Sequence, residues 1–289
     1  MLSCRSLLSL ACAALLGVAT VDDAAAQEIR FERELNRAMV GSFRGWQRDM
    51  KEGLQGENTG WSFCRLAYAS VTREQGGQGW TTDYPFAERN LMFRAEELTT
   101  IGMAKYGDGQ FAHSIVFATS PDLYRCPFLF ASDVGTMGLT DEEITALQSY
   151  LEKGGFIWVD DFWGERAWRR FQGELMRVIP NAVVVDLTPE HPMMSAMYRV
   201  KRIPQIPSIQ QWLRMGAGAE DTSERGADSR TPHMRAVYDG RGRMIVLITH
   251  NTDIADGWER EGEDQEYFYL FSPEAYAIAV NVLVWAMTH

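Results

Sequence analysis

The chain has 289 residues and a formal net charge of −11, with 39 acidic and 28 basic side chains. An acidic chain without a basic cluster has no electrostatic attraction for nucleic acid or for anionic lipid, so we expect neither as a partner. The length fits one large domain or two small ones.

Residues 1–26 have the organisation of a secretory signal peptide. An apolar stretch from Leu7 to Val18 leads to Ala24-Ala25-Ala26, directly before Gln27. A retained membrane anchor needs about 18 or more consecutive apolar residues, and Asp22 ends this stretch too early. We therefore expect cleavage after Ala26 and a periplasmic or secreted mature protein.

Residues 27–57 are predicted to form an N-terminal helical arm, and residues 58–289 a single α/β domain. The arm carries Leu35, Met39 and Phe43 at helical spacing among charged residues, which suits a helix packed on the domain and equally suits a partner-binding arm. The apolar stretch from Tyr276 to Met287 is too short to cross a bilayer, so we expect no transmembrane segment in the mature chain.

Short apolar runs alternate with helical patterns through the middle of the chain. Strands are predicted at 61–69, 114–118, 128–131, 156–159 and 182–185. Such runs are typical of strands buried on both faces of a parallel sheet. The pattern predicts a flavodoxin-like (Rossmann-like), mostly parallel sheet with helices on both faces.

Local signals mark several boundaries. Thr140 with Glu143 is a capping box that begins a helix, and Asp239-Gly240 between alternating residues predicts a C-terminal hairpin. Pro273 is expected to begin the last helix. Residues 201–232, which contain two prolines and a small, polar run, are predicted to be a long surface loop.

Polar side chains follow the predicted strands, where open α/β sheets bind ligands. The candidates are Asp133, Asp160, Asp161, Trp163, His250, Asn251, Asp253, Asp256 and Trp258. Carboxylates with one imidazole suit a divalent cation such as Ca²⁺, Mg²⁺ or Mn²⁺. The same acids beside two indoles would also suit a sugar. Alternatively, the Asp and Asn side chains only cap helices and close turns.

His191 lies in a turn-like segment, Thr188-Pro189-Glu190-His191-Pro192, and is predicted either to point toward the ligand site or to close the loop. Serine-histidine-aspartate combinations lack a G-x-S-x-G elbow. The absence of CxxC and HExxH motifs disfavours zinc.

Cys64 and Cys126 remain after the predicted cleavage. Cys64 opens one predicted strand and Cys126 directly precedes another, which places both at the same end of a parallel sheet. An oxidising compartment allows a disulfide between them, and two buried free thiols are the alternative.

Several motifs together resemble the bacterial family labelled domain of unknown function 4159, from about Trp61 to the C-terminus. They are Pro127-Phe128-Leu129-Phe130, Leu139-Thr140-Asp141-Glu142-Glu143, Gly154-Gly155-Phe156, Asp160-Asp161-Phe162-Trp163-Gly164, His191-Pro192, His250-Asn251-Thr252-Asp253 and Trp258-Glu259-Arg260-Glu261. The family resembles a branch of the superfamily of class I glutamine amidotransferases and trehalose-utilisation (ThuA-like) proteins, which implies a flavodoxin-like sheet. Cysteine-dependent amidotransferase activity is not implied, because both cysteines stand at strand starts and not on a strand-to-helix elbow.

The leading hypothesis is an exported protein that binds a small polar ligand, such as a carbohydrate, at an acidic edge of the sheet. A metal-dependent hydrolase, with Asp160 or Asp161 as general base and His250 as acid or metal ligand, is the second hypothesis. An envelope assembly or scaffold protein is the third.

Overall fold

The computed structural model describes residues 60–74, 77–216 and 221–289. The predicted signal peptide, the predicted N-terminal arm and the first two residues of the predicted α/β domain lie outside the described residues.

The described residues contain nine strands, of which seven form one sheet. The strands are β1 (Cys64–Ala67), β2 (Ala69–Ser70), β3 (Ser114–Phe117), β4 (Phe128–Ser132), β5 (Met137–Gly138), β6 (Phe156–Asp160), β7 (Val184–Asp186), β8 (His233–Tyr238) and β9 (Met244–His250). The order across the sheet is β3-β1-β4-β6-β9-β8-β7, and β2 pairs separately with β5. In this spatial order, neighbouring strands from β3 through β1, β4 and β6 to β9 are parallel. The pairs β9–β8 and β8–β7 are antiparallel. The prediction of a mostly parallel sheet is confirmed.

Helices connect and cover the strands. They are α1 (Phe86–Leu98), α2 (Asp141–Glu152), α3 (Gly164–Val178), α4 (Ile209–Met215), α5 (Asp256–Glu259) and α6 (Gln265–Thr288). The predicted capping box is present at the start of α2. Thr140 Oγ1 accepts from the Glu143 amide at 3.2 Å, and Glu143 Oε2 accepts from the Thr140 amide at 2.8 Å.

Successive residues of a strand point to opposite faces of the sheet, and both faces are packed. On one face Trp158 lies in a core that includes Leu91 of α1 and Ile278 of α6. On the other face Val159 lines a cavity together with Phe171 of α3. Burial on both sides explains why the central strands appear in the sequence as unbroken apolar runs.

Helix α6 begins earlier than predicted. Asp264 is its N-cap, accepting from the Tyr267 amide at 2.9 Å, and Pro273 lies inside the helix. The prediction that Pro273 begins the helix is wrong, because the stronger start signal is the capping side chain of Asp264.

The longer α6 also corrects the judgement that the C-terminal stretch is too short to cross a bilayer. Among the described helices, α6 with its 24 residues and a mean hydropathy of 1.4 is long and apolar enough by length and composition. Half of its most apolar window is buried within the fold, and core helices of soluble proteins pass the same test.

Tertiary packing overrides two further local predictions. The run predicted as a buried strand at 182–185 is instead the edge strand β7, antiparallel to β8, with Val183 72% and Val185 43% exposed. An edge strand has a neighbour on one side, which leaves these valines uncovered. The segment predicted as a long loop contains α4, whose Trp212 is buried in the core.

A disulfide joins Cys64 to Cys126 with a Cα–Cα distance of 6.0 Å. Cys64 is the first residue of β1 and Cys126 precedes β4, so the bond crosses two neighbouring strands at their amino ends. Both cysteines are fully buried.

A buried acidic site at the carboxyl edge of the sheet

Three neighbouring parallel strands, β4, β6 and β9, end directly before residues in the left-handed region of the backbone. These are Asp133 (φ 52°), Asp161 (φ 54°) and Asn251 (φ 60°). Asp and Asn are the side chains that tolerate positive φ best after glycine. The chain therefore turns sharply at the carboxyl end of each strand.

Asp160, the last residue of β6, is fully buried and bound on both oxygens. Its Oδ1 accepts from Thr249 Oγ1 of β9 at 2.5 Å, and its Oδ2 accepts from the Ala255 amide at 3.0 Å. Burial raises the pKa of Asp160 to about 7, against the effect of these hydrogen bonds. Asp160 thus ties β6 to β9 and to the chain that follows β9.

Further carboxylates converge beside Asp160 in two groups. One oxygen each from Asp83, Asp161 and Asp253 lie within 4.8 Å of one another, and the same is true of Asp83, Asp256 and Glu259. We call these five residues together with Asp160 the acidic site.

For Asp161, Asp253 and Asp256, burial is the largest cause of a raised pKa, followed by the charges of neighbouring carboxylates. The pKa values of Asp161, Asp253 and Asp256 are raised well above the ordinary value. Two carboxylates within hydrogen-bonding reach cannot both be ionised without a proton or a cation between them. Burial and mutual repulsion therefore both disfavour the charged forms of Asp161, Asp253 and Asp256.

Asp83, the member shared by both groups, precedes Pro85, a pattern that predicts the start of a helix. The N-cap of α1 is Pro85, without a side-chain hydrogen bond, whereas Asp83 Oδ2 accepts from Ser132 Oγ of β4 at 3.1 Å. Burial, and next the charge of Glu259, raise the pKa of Asp83 to about 8. Nothing in the sequence indicates that Asp83 is a site residue, because an aspartate before a proline is the expected pattern of a helix start.

Glu259 was also missed as a site residue. It follows Asp256 by three positions on α5, a spacing that places two side chains on the same side of a helix. Its Oε2 pairs with Arg260 Nε at 2.8 Å. Asn90 of α1 donates to the carbonyls of Trp258 and Glu259 and so holds α5 in place.

Asp133 lies next to the acidic site and faces a different partner. Its Oδ2 accepts from the Gly79 amide at 2.6 Å, and burial together with nearby Glu74 raises its pKa to about 8. A Cβ on Gly77 would lie 2.3 Å from Asp133 Oδ2, so this close approach requires glycine. Gly77 and Gly79, which follow β2 in the chain, therefore lie directly against the Asp133 carboxylate.

The two tryptophans among the candidate site residues, Trp163 and Trp258, are buried. Trp163 Nε1 donates to Asp161 Oδ1 at 3.1 Å, and the Trp258 ring packs 6.0 Å from Trp158 and 6.1 Å from Tyr276. Neither ring offers an open face. The expectation that the two indoles suit a sugar is therefore corrected: Trp163 supports Asp161, and Trp258 packs within the core.

His250 points away from the acidic site. Thr249 shares a face of the sheet with Asp160, so the next residue of β9 faces the opposite side. There His250 Nε2 donates to the Gly164 carbonyl at 3.2 Å, and its ring lies 4.7 Å from that of Phe162. Burial lowers the pKa of His250 to about 4. The expectation that His250 shares a cavity with Asp160 is corrected.

Asn251 has a structural role at the start of α3. Its Oδ1 accepts from the Gly164 amide at 2.8 Å, and its Nδ2 donates to the Thr231 carbonyl at 2.9 Å. The Asn251 amide therefore holds the first amide of α3 and the segment before β8, as the alternative interpretation of the predicted site allowed.

His191 also lies apart from the acidic site. Its Nδ1 accepts from the Met193 amide at 3.3 Å, and its Nε2 lies 3.0 Å from the Tyr238 hydroxyl. His191 thus closes the turn before the short helix Pro192–Ser195. Of the two roles predicted for it, the structure favours loop closure.

These features define an α/β protein with a cluster of buried carboxylates beyond the carboxyl ends of parallel strands. A protein-family model described as Domain of unknown function (DUF4159) matches residues 62–287, and the chain belongs to this family. A search of curated proteins found no match to the chain.

Proposed function

We propose that the protein binds a divalent cation with oxygen ligands, Ca²⁺ or Mg²⁺, at the acidic site and uses it to hold a small polar ligand. The observation that carries this proposal is the convergence of carboxylate oxygens of Asp83, Asp161 and Asp253 within 4.8 Å. Carboxylates are the preferred ligands of both cations.

The energy of the buried charges supports a cation. Two like charges 4 Å apart repel by about 4 kcal/mol at an effective dielectric constant of 20. Arg65, a buried guanidinium on this face of the sheet, is paired with Glu88 and offsets only part of the charge of Asp83. A divalent cation would replace the protons held by the acidic site and convert repulsion into attraction.

The position of the acidic site favours a ligand-binding role. The parallel strands β1, β3, β4, β6 and β9, counted in chain order, have the spatial order 2-1-3-4-5. That order is the flavodoxin-like one, in which ligands bind beyond the strand carboxyl ends near the point where the order reverses. We infer a flavodoxin-like fold and the amidotransferase-like and ThuA-like superfamily on this basis, as a fold-level analogy.

The chemistry of the ligand follows from the cation. With both tryptophans buried, a carbohydrate or another polyhydroxy compound would be held by hydroxyl oxygens that complete the coordination sphere. A hydrolase remains the second candidate, with a carboxylate and not His250 as its base. A scaffold protein would leave the acidic site without a ligand, and cation binding separates the two classes.

A thermal-shift measurement tests the cation. Protein treated with EDTA and then given millimolar Ca²⁺, Mg²⁺ or Mn²⁺ should melt at a higher temperature with at least one of them. At a hundred times the dissociation constant, binding to the folded state adds about 2.7 kcal/mol, or roughly 5–10 °C for a domain of this size. An unchanged melting temperature with all three cations would contradict the proposal.

We also propose that the chain is exported and that its disulfide forms in the oxidising compartment. The Ala24-Ala25-Ala26 sequence and the Cys64–Cys126 bond both support export. Intact mass of the periplasmic protein should correspond to a chain that begins at Gln27, with both cysteines resistant to alkylation until a reductant is added. A chain that retains residues 1–26, or two thiols alkylated in the native protein, would contradict this proposal.

A further inference from the structure

We infer that the acidic site holds two divalent cations and that Asp83 bridges them. This inference rests on the proposed cation binding and extends it to a second cation.

The geometry separates the ligands into two groups that share one residue. Asp161 and Asp253 follow β6 and β9, whereas Asp256 and Glu259 belong to α5. Asp83 belongs to both groups. A carboxylate has two oxygens and can give one to each of two cations, and paired sites of this kind hold their cations about 3.5–4 Å apart.

The charge of the acidic site favours more than one cation once its carboxylates are ionised. A single divalent cation offsets two negative charges, and the six carboxylates of the acidic site exceed that number. Arg260 offsets part of the charge of Glu259. Two cations bring the site close to neutrality, which buried charges need.

Two buried donors give independent evidence for further oxygen atoms in the acidic site. Arg65 Nη2 and Trp258 Nε1 are buried and have no hydrogen-bond partner among the described residues. Arg65 donates through Nη1 to the Thr82 carbonyl, directly before Asp83, and its charge interacts with that of Asp83. Trp258 stands between Asp256 and Glu259 in the chain.

Such donors are rare in native structures, because an unmade hydrogen bond in the interior costs about 1–3 kcal/mol. Oxygen atoms carried by a cation, from water or from a ligand, are acceptors for both. Arg65 lies near the shared residue Asp83, and Trp258 belongs to α5, the helix that carries Asp256 and Glu259.

The number of bound cations tests the inference. Native mass spectrometry and equilibrium dialysis of the full mature protein with Mn²⁺, after removal of metal with EDTA, should find two cations per chain. Glu259→Gln and Asp253→Asn should each reduce the number to one. Two Mn²⁺ ions bridged by a carboxylate should give a coupled electron paramagnetic resonance spectrum, and each variant should give the spectrum of an isolated ion.

Glu263→Gln is the matched control, because Glu263 also pairs with Arg260 and lies outside both ligand groups. It should retain two cations and the coupled spectrum. Melting curves should confirm that each variant is folded. Glu259 pairs with the partly exposed Arg260, so we expect Glu259→Gln to disturb the fold less than Asp253→Asn.

One cation per chain in the unmodified protein would overturn the inference and leave the proposed function in place. Two cations without magnetic coupling would overturn the bridging role of Asp83. If no cation binds, the inference and the proposed function both fail.

Discussion

Asp161→Asn should raise the melting temperature of the cation-free protein and abolish its response to Ca²⁺ or Mg²⁺. The substitution removes one charge from a buried cluster that raises the pKa of Asp161 well above its usual value. Asparagine keeps an oxygen for the hydrogen bond from Trp163 Nε1, so the fold loses no contact. We expect a gain of about 1–3 kcal/mol without cation and a loss of cation affinity of roughly 100-fold or more.

Asp122→Asn is the matched control for this measurement. Asp122 lies on the surface in the short helix Pro121–Arg125, and the substitution makes the same chemical change far from the acidic site. Its melting temperature and its cation response should both stay as in the unmodified protein. If Asp161→Asn instead destabilises the protein and preserves the cation response, Asp161 is a structural residue.

The stability of the cation-free protein should fall as the pH rises from 6.5 to 8.5. The pKa of Asp160 is raised to about 7, and the pKa values of Asp83 and Asp133 to about 8. In the unfolded chain these groups are deprotonated above an ordinary pKa of about 3.9. The folded state therefore binds more protons, and its stabilisation, complete at low pH, is lost as the pH passes the folded-state pKa values.

One extra proton in the folded state across two pH units corresponds to about 2.7 kcal/mol, or roughly 5–10 °C. The window begins at pH 6.5 because His250, whose pKa is lowered to about 4, has the opposite effect below it. Melting curves in EDTA should show the fall, and saturating Ca²⁺ should remove it because the cation takes the place of the protons. A melting temperature that is independent of pH in EDTA would exclude protonated carboxylates in the folded site.

The sequence alone predicted part of the acidic site, because the rule for strand ends holds along the chain. Asp160, Asp161 and Asp253 follow two strands, β6 and β9, which are neighbours in the sheet. Asp83 could not be predicted in this way. Its place depends on the loop after β2 folding back onto the end of β4, a long-range contact that no local pattern indicates.

The misplacement of His250 has a simple physical origin. Adjacent residues of a strand face opposite sides of a sheet, so a cluster of polar residues in sequence is divided between the two faces. Thr249, which carries no charge and was not a candidate, is the residue that contacts Asp160. The polar residues from His250 onward therefore have two different roles. His250 and Asn251 contact the start of α3, whereas Asp253 belongs to the acidic site.

Long-range packing also limited how much of the fold could be predicted from the sequence. Central strands were predictable from apolar runs because both of their faces are covered, whereas β7 has the same composition and lies at the edge. The start of α6 depended on one capping side chain, Asp264, which competed with a proline further along the helix.

The disulfide lies at the amino ends of the parallel strands, and the acidic site lies at their carboxyl ends. Cys126 precedes the amino end of β4 and Ser132 ends that strand, and a five-residue strand spans roughly 17 Å. Thiols released by a reductant would therefore be too far away to enter the coordination sphere of a cation at Asp83. A thiol-seeking metal such as Zn²⁺, taken up only after reduction, would report on the cysteines, and chelation experiments on the carboxylates can be carried out in either redox state.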